Sequence, residues 1–198
     1  MNDITELVII IDRSGSMQSL REDVIGGYNA LLENQKKQEG KTLVTTIFFN
    51  DRAEFIHKDA DVQDLKPIDG RSYQPCGCTA LLDAIGDGIA FIKAKHAKLT
   101  AEELPTHTIF SIMTDGLENA SKEYSYSQIK SMIELQKECG WDFIFQAANI
   151  DVARESSRLG IDANMSRSFD ATSSGVKFMM AYACEQIQSV KDKKKQRK

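Results

Sequence analysis

Five side chains that carry oxygen stand at three places in the chain, and their types suit a hard divalent cation. The five are Asp12, Ser14, Ser16, Thr79 and Asp115. The alternate spacing of the first three lets a curled loop direct their oxygens to one point, and Gly15 permits a backbone conformation that a Cβ would oppose. Mg²⁺ prefers octahedral oxygen coordination and keeps some of its waters. The set therefore predicts a site for Mg²⁺ or Mn²⁺, with Ca²⁺ less favoured.

The charges of this set predict that the bound ion would still attract an anion. The carboxylates of Asp12 and Asp115 only balance the charge of a divalent ion, and the other three side chains are neutral hydroxyls. An Asp or Glu carboxylate of a partner protein can then take an open position and gain a charge-assisted contact. We therefore expect recognition of a partner protein without hydrolysis, and no catalytic residues.

Two of the three places lie where buried strands are predicted to end. Residues 7–11 form a continuous apolar run that ends at Asp12, as in a strand buried on both faces of a parallel sheet. Residues 107–114 indicate another buried strand, which ends at Asp115. Thr79 precedes a helical pattern over residues 80–95 and suits the N-cap of that helix.

The rest of the chain alternates between helical and strand patterns. Further helices are predicted over residues 18–37, 126–138, 152–159 and 173–190, and further strands over residues 43–49, 53–57, 141–147 and 165–169. Residues 50–52 suit the tight reversal of a hairpin between two of these strands, and residues 62–78 have the composition of a loop.

This alternation predicts an α/β domain over residues 1–190. The expected architecture is a Rossmann-like, doubly wound, mostly parallel sheet with one antiparallel edge strand and helices on both faces. In such sheets ligands bind beyond the carboxyl ends of the strands, at the point where the strand order reverses. Asp12 and Asp115 would both lie at that point.

A purely structural role for the same residues is the alternative. Ser14 and Ser16 could cap the helix that follows them, while Asp12 and Asp115 accept hydrogen bonds from loop amides. An Asp-x-Ser-x-Ser segment alone does not decide between the two interpretations. Its place after a buried strand, together with Thr79 and a later Thr-Asp-Gly segment, favours the metal.

The segments around these residues resemble a known family. Residues 9–17 (Ile-Ile-Ile-Asp-Arg-Ser-Gly-Ser-Met), Thr79 and residues 113–116 (Met-Thr-Asp-Gly) look like the metal-ion-dependent adhesion site of von Willebrand factor type A domains. Residues 77–85 and 148–151 are similar to stretches of small stand-alone bacterial and phage members. The resemblance therefore covers nearly the whole chain, apart from its basic end.

This resemblance implies a role for each residue of the set. Ser14, Ser16 and Thr79 would bind the metal by their hydroxyls, and Asp12 and Asp115 would contribute directly or through water. The implied function is a protein-interaction module, not an enzyme, in which the bound Mg²⁺ or Mn²⁺ captures a carboxylate of a partner protein.

Two other functions are compatible with parts of the pattern. The first is a metal-free scaffold of the same fold, whose partners use another face. The second is a Mg²⁺-dependent phosphatase of the haloacid dehalogenase type, which needs a second carboxylate two residues after Asp12, where this chain has Ser14. The sequence has no Gly-x-x-x-x-Gly-Lys or Gly-x-Gly-x-x-Gly loop for a nucleotide.

Four further residues are candidates for a role around the ion. Asp83 lies one helical turn after Thr79, where it could orient a metal-bound water or lie on a solvated face. Glu118 and Asn119 could shape the rim of the site or serve the turn that follows the strand. Arg13 is expected to be exposed, where it could steer an acidic partner or simply be solvated.

Composition argues against several classes of protein. No apolar run approaches the ~20 residues that span a bilayer, and the acidic start lacks the basic residues of a secretory signal, so we expect a cytosolic protein. The four cysteines are expected to be free, because Cys76 and Cys78 are too close for an easy disulfide and Cys139 and Cys184 lie in helical patterns. A zinc site is not favoured, because it needs four ligands and the three histidines are not clustered. Residues 191–198 form a basic segment without aromatic residues, which predicts a disordered tail and does not favour nucleic acid.

Overall fold

A central strand, β1 (Ile4–Asp12), carries the apolar run near the start of the chain. The computed structural model describes residues 3–195. Within β1, Leu7, Val8 and Ile10 are fully buried, because both faces of the strand are covered. Continuous apolar strands of this kind are typical of parallel sheets that lie between two layers of helices.

The other helices and strands alternate after β1. They are α1 (Arg21–Lys36), β2 (Lys41–Phe49), β3 (Ala53–Asp61), α2 (Leu81–His96), β4 (His107–Thr114), α3 (Tyr126–Glu138), β5 (Asp142–Ala147), α4 (Val152–Leu159), β6 (Ser166–Ser168) and α5 (Ser173–Lys195). Short 3₁₀ helices cover Gly15–Leu20, Val62–Asp64 and Ala163–Met165. Among residues 3–195, no helix is both long enough and apolar enough to cross a membrane.

The strands form one six-stranded sheet in the order β3-β2-β1-β4-β5-β6. The β2–β3 pair is antiparallel and every other pair is parallel, which confirms the predicted α/β architecture and its hairpin. The strand order reverses at β1, whose register pairs Ile11 with Met113 of β4. The carboxyl ends of β1 and β4 therefore lie side by side at the switch point.

Two apolar layers cover the sheet. Side chains that point to one face, such as Ile9, pack with Tyr28 of α1 and Met179 of α5. Side chains that point to the other face, such as Ile10, pack with Ile85 of α2 and residues of α3. The predicted placement of helices on both faces is confirmed.

Two helices differ from the sequence-based expectation by more than one residue at a boundary. The helical pattern predicted from residue 18 begins as the 3₁₀ helix Gly15–Leu20, and α1 starts only at Arg21. The last helix, α5, continues to Lys195 and so includes the start of the segment expected to be a disordered tail. Lys191 is 5% exposed and its Nζ donates to Gln35 Oε1 at 2.9 Å, so packing on α1 extends the helix. Residues 196–198 of that segment lie outside the described residues.

The carboxyl end of β1 is held by Tyr73, which lies in the long loop before α2. The Tyr73 hydroxyl donates to the backbone oxygen of Asp12 at 2.5 Å, and its ring packs edge-on against Phe48 of β2. Arg21 Nε donates to the Tyr73 backbone oxygen at 3.1 Å. Tyr73 is fully buried, so this loop is part of the core and positions the end of the central strand.

We expect Tyr73→Phe to lower the free energy of unfolding by about 1–2 kcal/mol, because the buried Asp12 carbonyl would lose its donor. Urea unfolding followed by circular dichroism measures the change. A matched control is Tyr182→Phe, whose hydroxyl donates to an exposed carbonyl at 3.3 Å; its effect should stay within about 0.5 kcal/mol. Equal effects of the two substitutions would contradict the role given to Tyr73.

Candidate metal centre

Ser16 joins the first loop, which follows β1 and contains Ser14, to the loop after β4. Its hydroxyl donates to Asp115 Oδ1 at 2.6 Å, and it lies 3.0 Å from the hydroxyl oxygen of Ser14. Three of the five predicted residues, from two loops, therefore form one cluster of oxygen atoms. The adjacent ends of β1 and β4 bring them together.

Asp12 lies beneath this cluster and is fully buried. Its Oδ1 accepts from the backbone N–H of Ser14 at 2.7 Å, and its Oδ2 accepts from the Thr114 hydroxyl at 2.6 Å. These contacts fix the carboxylate at the end of β1. Each oxygen of a carboxylate can accept more than one contact, so Asp12 keeps capacity for an ion or for a water on an ion.

Thr79 comes to the same place from the loop before α2 and is 4% exposed. Its backbone N–H donates to Asn119 Oδ1 at 2.9 Å, and the N–H of Asn119 donates back to the Thr79 carbonyl at 3.0 Å. A Cβ added to Gly116 would lie 4.0 Å from Thr79 Oγ1, so the hydroxyl faces the loop that contains Asp115. Within residues 3–195 that hydroxyl makes no hydrogen bond, which leaves its oxygen free to act as a ligand.

The predicted N-cap role of Thr79 is wrong. The N-cap position of α2 is Ala80, which makes no side-chain cap bond. The first N–H groups of α2 are satisfied from the loop after β4 instead: Glu118 Oε2 accepts from Leu82 at 3.0 Å, and Ser121 Oγ accepts from Asp83 at 3.1 Å. Because other residues meet this need, the Thr79 hydroxyl is not used for capping.

The capping role that the alternative interpretation gave to Ser14 is also not observed. Ser14 occupies the N-cap position of the 3₁₀ helix Gly15–Leu20 but makes no cap bond with its side chain. Its hydroxyl is directed to Ser16 instead. One part of that interpretation is found, since Asp12 does accept from a loop amide.

Backbone contacts between the first loop and the loop before α2 set the distance between their side chains. The N–H of Gly15 donates to the Gly77 carbonyl at 3.1 Å, and the N–H of Cys76 donates to the Arg13 carbonyl at 3.0 Å. Gly77 has a φ of +76°, and a Cβ there would lie 2.0 Å from Asp51 Oδ2. Only glycine allows this close approach.

Two positioning residues were not found by sequence reasoning. Asn149, after β5, donates from Nδ2 to the backbone oxygen of Asp115 at 3.2 Å and has a φ of +58°. Asn50, after β2, accepts at its backbone oxygen from the N–H of Ala80 at 2.7 Å. Asn50 follows β2 directly and Asn149 lies two residues after the end of β5, so a search for polar residues just beyond the carboxyl end of every predicted strand would have included both.

The structure decides the roles of the four neighbouring candidates. Arg13 was expected to be exposed, but its side chain is 13% exposed and pairs with Glu54 Oε2 on β3 at 2.6 Å, so it is not directed toward a partner. Asp83 neither faces the cluster nor lies on a solvated face: its carboxylate accepts N–H groups of residues 122–124 at 2.8–3.0 Å. Glu118 serves the turn, and Asn119 holds Thr79.

The electrostatics of the cluster favour neutralisation by a cation. Burial raises the pKa of Asp12, hydrogen bonds from Thr114 and Ser14 oppose the shift, and the charge of Asp115 adds to it. Burial likewise raises the pKa of Asp115, against the hydrogen bond from Ser16. Since Arg13 is paired with Glu54, its charge is already balanced. A divalent cation would relieve the desolvation cost of both carboxylates.

The donor chemistry fits an oxygen-binding metal. The cluster contains carboxylates and hydroxyls without sulfur or imidazole, a set that suits Mg²⁺ and Mn²⁺ better than soft metals. In the part of the chain that the structure describes, no group of three or more His, Cys, Asp or Glu side chains is placed to hold a metal. None of the four cysteines forms a disulfide in the structure.

Comparisons by sequence identify no relative of this chain. No protein-family model matches the sequence, and no curated protein matches it.

Comparisons of structure find many similar proteins. The von Willebrand factor domain of the type V pilus tip protein Mfa5 from Porphyromonas gingivalis has a TM-score of 0.67 at 11% identity, covering 95% of this chain and 96% of that one. Manganese-loaded TRAP from Plasmodium vivax has a TM-score of 0.60 at 16% identity, covering 90% and 72%. Proximal thread matrix protein 1 from the mussel byssus, with a zinc-occupied MIDAS motif, has a TM-score of 0.60 at 15% identity, covering 91% and 46%.

These similarities extend over at least nine tenths of this chain, although it spans less than half of the mussel protein. At such low identity the similarities identify the fold alone. The activities and partners of those proteins are not transferred to this chain. The chain adopts the fold of von Willebrand factor type A domains.

Proposed function

We propose that this protein is an interaction module in which a bound Mg²⁺ or Mn²⁺ captures an Asp or Glu carboxylate of a partner protein. The observation that carries the proposal is the contact of Ser16 with both Asp115 and Ser14, which brings side chains from two loops within 2.6–3.0 Å of one another. The Thr79 hydroxyl faces the loop that contains Asp115, and it makes no hydrogen bond within residues 3–195. These are the side chains that would hold the ion.

The charge of the cluster supports capture of an outside carboxylate. Asp12 and Asp115 together balance a divalent ion, and Ser14, Ser16 and Thr79 add no charge. Ser16 is exposed, so the cluster reaches the surface and solvent can meet the ion there. A partner's carboxylate that replaces a water would gain a charge-assisted contact at the rim of a largely buried site.

The structural neighbours support divalent metal binding in general. TRAP was crystallised with manganese, and the mussel matrix protein with zinc in its MIDAS motif. The choice of Mg²⁺ or Mn²⁺ over zinc for this chain rests on the oxygen-only donor set. Pilus and adhesion proteins among the neighbours are consistent with a role in protein interaction.

Two other functions predict different observations. A metal-free scaffold would bind its partner equally well in Mg²⁺ and in EDTA. A phosphatase of the haloacid dehalogenase type would turn over a phosphate ester, yet the position two residues after Asp12 is Ser14, which cannot supply the carboxylate that such chemistry needs. We therefore propose binding without turnover.

We expect calorimetry to detect binding of Mg²⁺ or Mn²⁺ to the purified chain. Asp115→Ala should weaken this binding by more than about 100-fold, because loss of a residue that only supports the metal ligands weakens binding by at most about that factor. Asp64→Ala is a matched control, because Asp64 is exposed in the 3₁₀ helix Val62–Asp64. Unchanged heats of binding in Asp115→Ala, with a normal circular dichroism spectrum, would exclude this residue as a ligand.

Asp115→Asn should have opposite effects on stability with and without metal. Because burial raises the folded-state pKa of Asp115 above its ordinary value of 3.8, protonation favours the folded chain. This stabilisation of the folded chain is complete when the pH is below the ordinary pKa of Asp115, and it is lost as the pH rises through the raised pKa. In EDTA at pH 7, the substitution should therefore raise the midpoint of thermal unfolding, and the gain should shrink as the pH falls.

In excess Mg²⁺ the order of the two midpoints should reverse, since only the wild-type chain would bind the ion tightly. Binding at a 100-fold excess over the dissociation constant stabilises a protein by about 2.7 kcal/mol. Differential scanning fluorimetry in EDTA and in Mg²⁺ makes the comparison. The same order of midpoints under both conditions would count against a ligand role for Asp115.

Partner proteins should be retained in Mg²⁺ and released by EDTA. An affinity pull-down with the wild-type chain and with Asp12→Ala, followed by mass spectrometry, identifies the proteins that are lost from the variant. Asp64→Ala should retain the same proteins as wild type. A set of partners that remains bound in EDTA and to Asp12→Ala would favour the metal-free scaffold.

A further inference from the structure

Beside the proposed site, Leu117 is exposed in the segment that connects Asp115 with Asn119. It is 55% exposed, and among the residues that the structure describes it is the most exposed of four large exposed hydrophobic side chains. Asp115 contacts Ser16 at one end of this segment, and Asn119 holds Thr79 at the other. Leu117 thus lies in a short segment that contains the proposed ligand Asp115 at one end and bonds to the proposed ligand Thr79 at the other.

The segment around Leu117 is held in place at several points. Asn149 donates to the Asp115 backbone oxygen at 3.2 Å, and the N–H of Gly116 donates to the Thr114 hydroxyl at 3.2 Å. Glu118 accepts at 3.0 Å from the N–H of Leu82 at the start of α2. A surface that is fixed in advance loses little conformational entropy when a partner binds.

The polar side chains of this segment take part in hydrogen bonds within the protein. The carboxylate of Glu118 accepts hydrogen bonds at 2.7–3.0 Å from α2 and from the turn that contains Ser121. The amide oxygen of Asn119 accepts from Thr79, and Gly116 has no side chain. Leu117 is therefore the apolar side chain that this segment presents to a partner.

We propose that Leu117 forms an apolar contact point beside the ion and that it selects partners in which an aliphatic residue neighbours the captured Asp or Glu. This inference rests on the proposed function. The ion attracts any accessible carboxylate and does not distinguish its sequence context. Leu117, carried on this held segment, adds that distinction, because burying apolar surface against it favours one class of neighbouring side chain.

The chain offers a matched control for this role. Leu135 is 50% exposed, close to the exposure of Leu117, but it lies near the end of α3 that leads into the start of β5. That end of the sheet is opposite the candidate metal centre. The same substitution at the two leucines removes a similar apolar surface from two different places.

The experiment uses the full chain and a displayed library of short peptides with a fixed central glutamate and randomised neighbours. Peptides are captured in Mg²⁺, released with EDTA and sequenced, for wild type, Leu117→Ser and Leu135→Ser. We expect aliphatic residues to be enriched next to the glutamate for wild type and for Leu135→Ser, and the enrichment to disappear for Leu117→Ser. A selected peptide should bind Leu117→Ser about fivefold more weakly, as expected for loss of a partly buried leucine.

The outcomes separate this inference from the proposed function. If peptides are retained in Mg²⁺ but Leu117→Ser selects the same aliphatic neighbours as wild type, the role of Leu117 is overturned while metal-dependent capture stands. If wild type retains no peptide in Mg²⁺, both the proposed function and this inference are overturned. Calorimetry should show the same Mg²⁺ affinity for Leu117→Ser and wild type; a loss of Mg²⁺ affinity would assign Leu117 to the metal site and overturn its role in selecting partners.

Discussion

The parallel pairing of β1 with β4 is the constraint on which the rest of the site depends. Both strands are buried on both faces, and their register places Asp12 and the end of β4 side by side at the switch point of the sheet. Two carboxylates that are far apart in the chain therefore meet in a region with little access to water. The first loop must then curl over them, and the hydroxyl of Ser16 bonds to Asp115.

Burial of like charges at this point has an energetic cost that local contacts only partly offset. Hydrogen bonds from Ser14 and Thr114 stabilise the ionised form of Asp12, while desolvation and the charge of Asp115 oppose it. Arg13, the cation nearest in sequence, pairs with Glu54 and does not neutralise the pair. The fold thus concentrates negative charge where a divalent cation would be favoured, which links the architecture of the sheet to the proposed function.

The loop before α2 shows how helix capping and the proposed metal binding are divided between residues. Threonine before a helix is a common N-cap, but here Glu118 and Ser121 supply the acceptors for the first N–H groups of α2. Thr79 is held by its backbone through Asn119, and its hydroxyl faces the loop after β4. The same loop after β4 therefore caps α2, positions Thr79 and presents Leu117, so the candidate metal centre and the surface beside it share one support.

Local patterns in the sequence determined the strands, the hairpin and most helix bounds, because apolar periodicity reflects which face of an element is buried. They also identified Asp12 and Asp115 as strand ends. Only the tertiary structure decided that Arg13 is paired, that Asn149 supports Asp115, and that α5 continues past residue 190 by packing on α1. These features depend on contacts between residues distant in the chain, and such contacts leave no periodic signal in a single sequence.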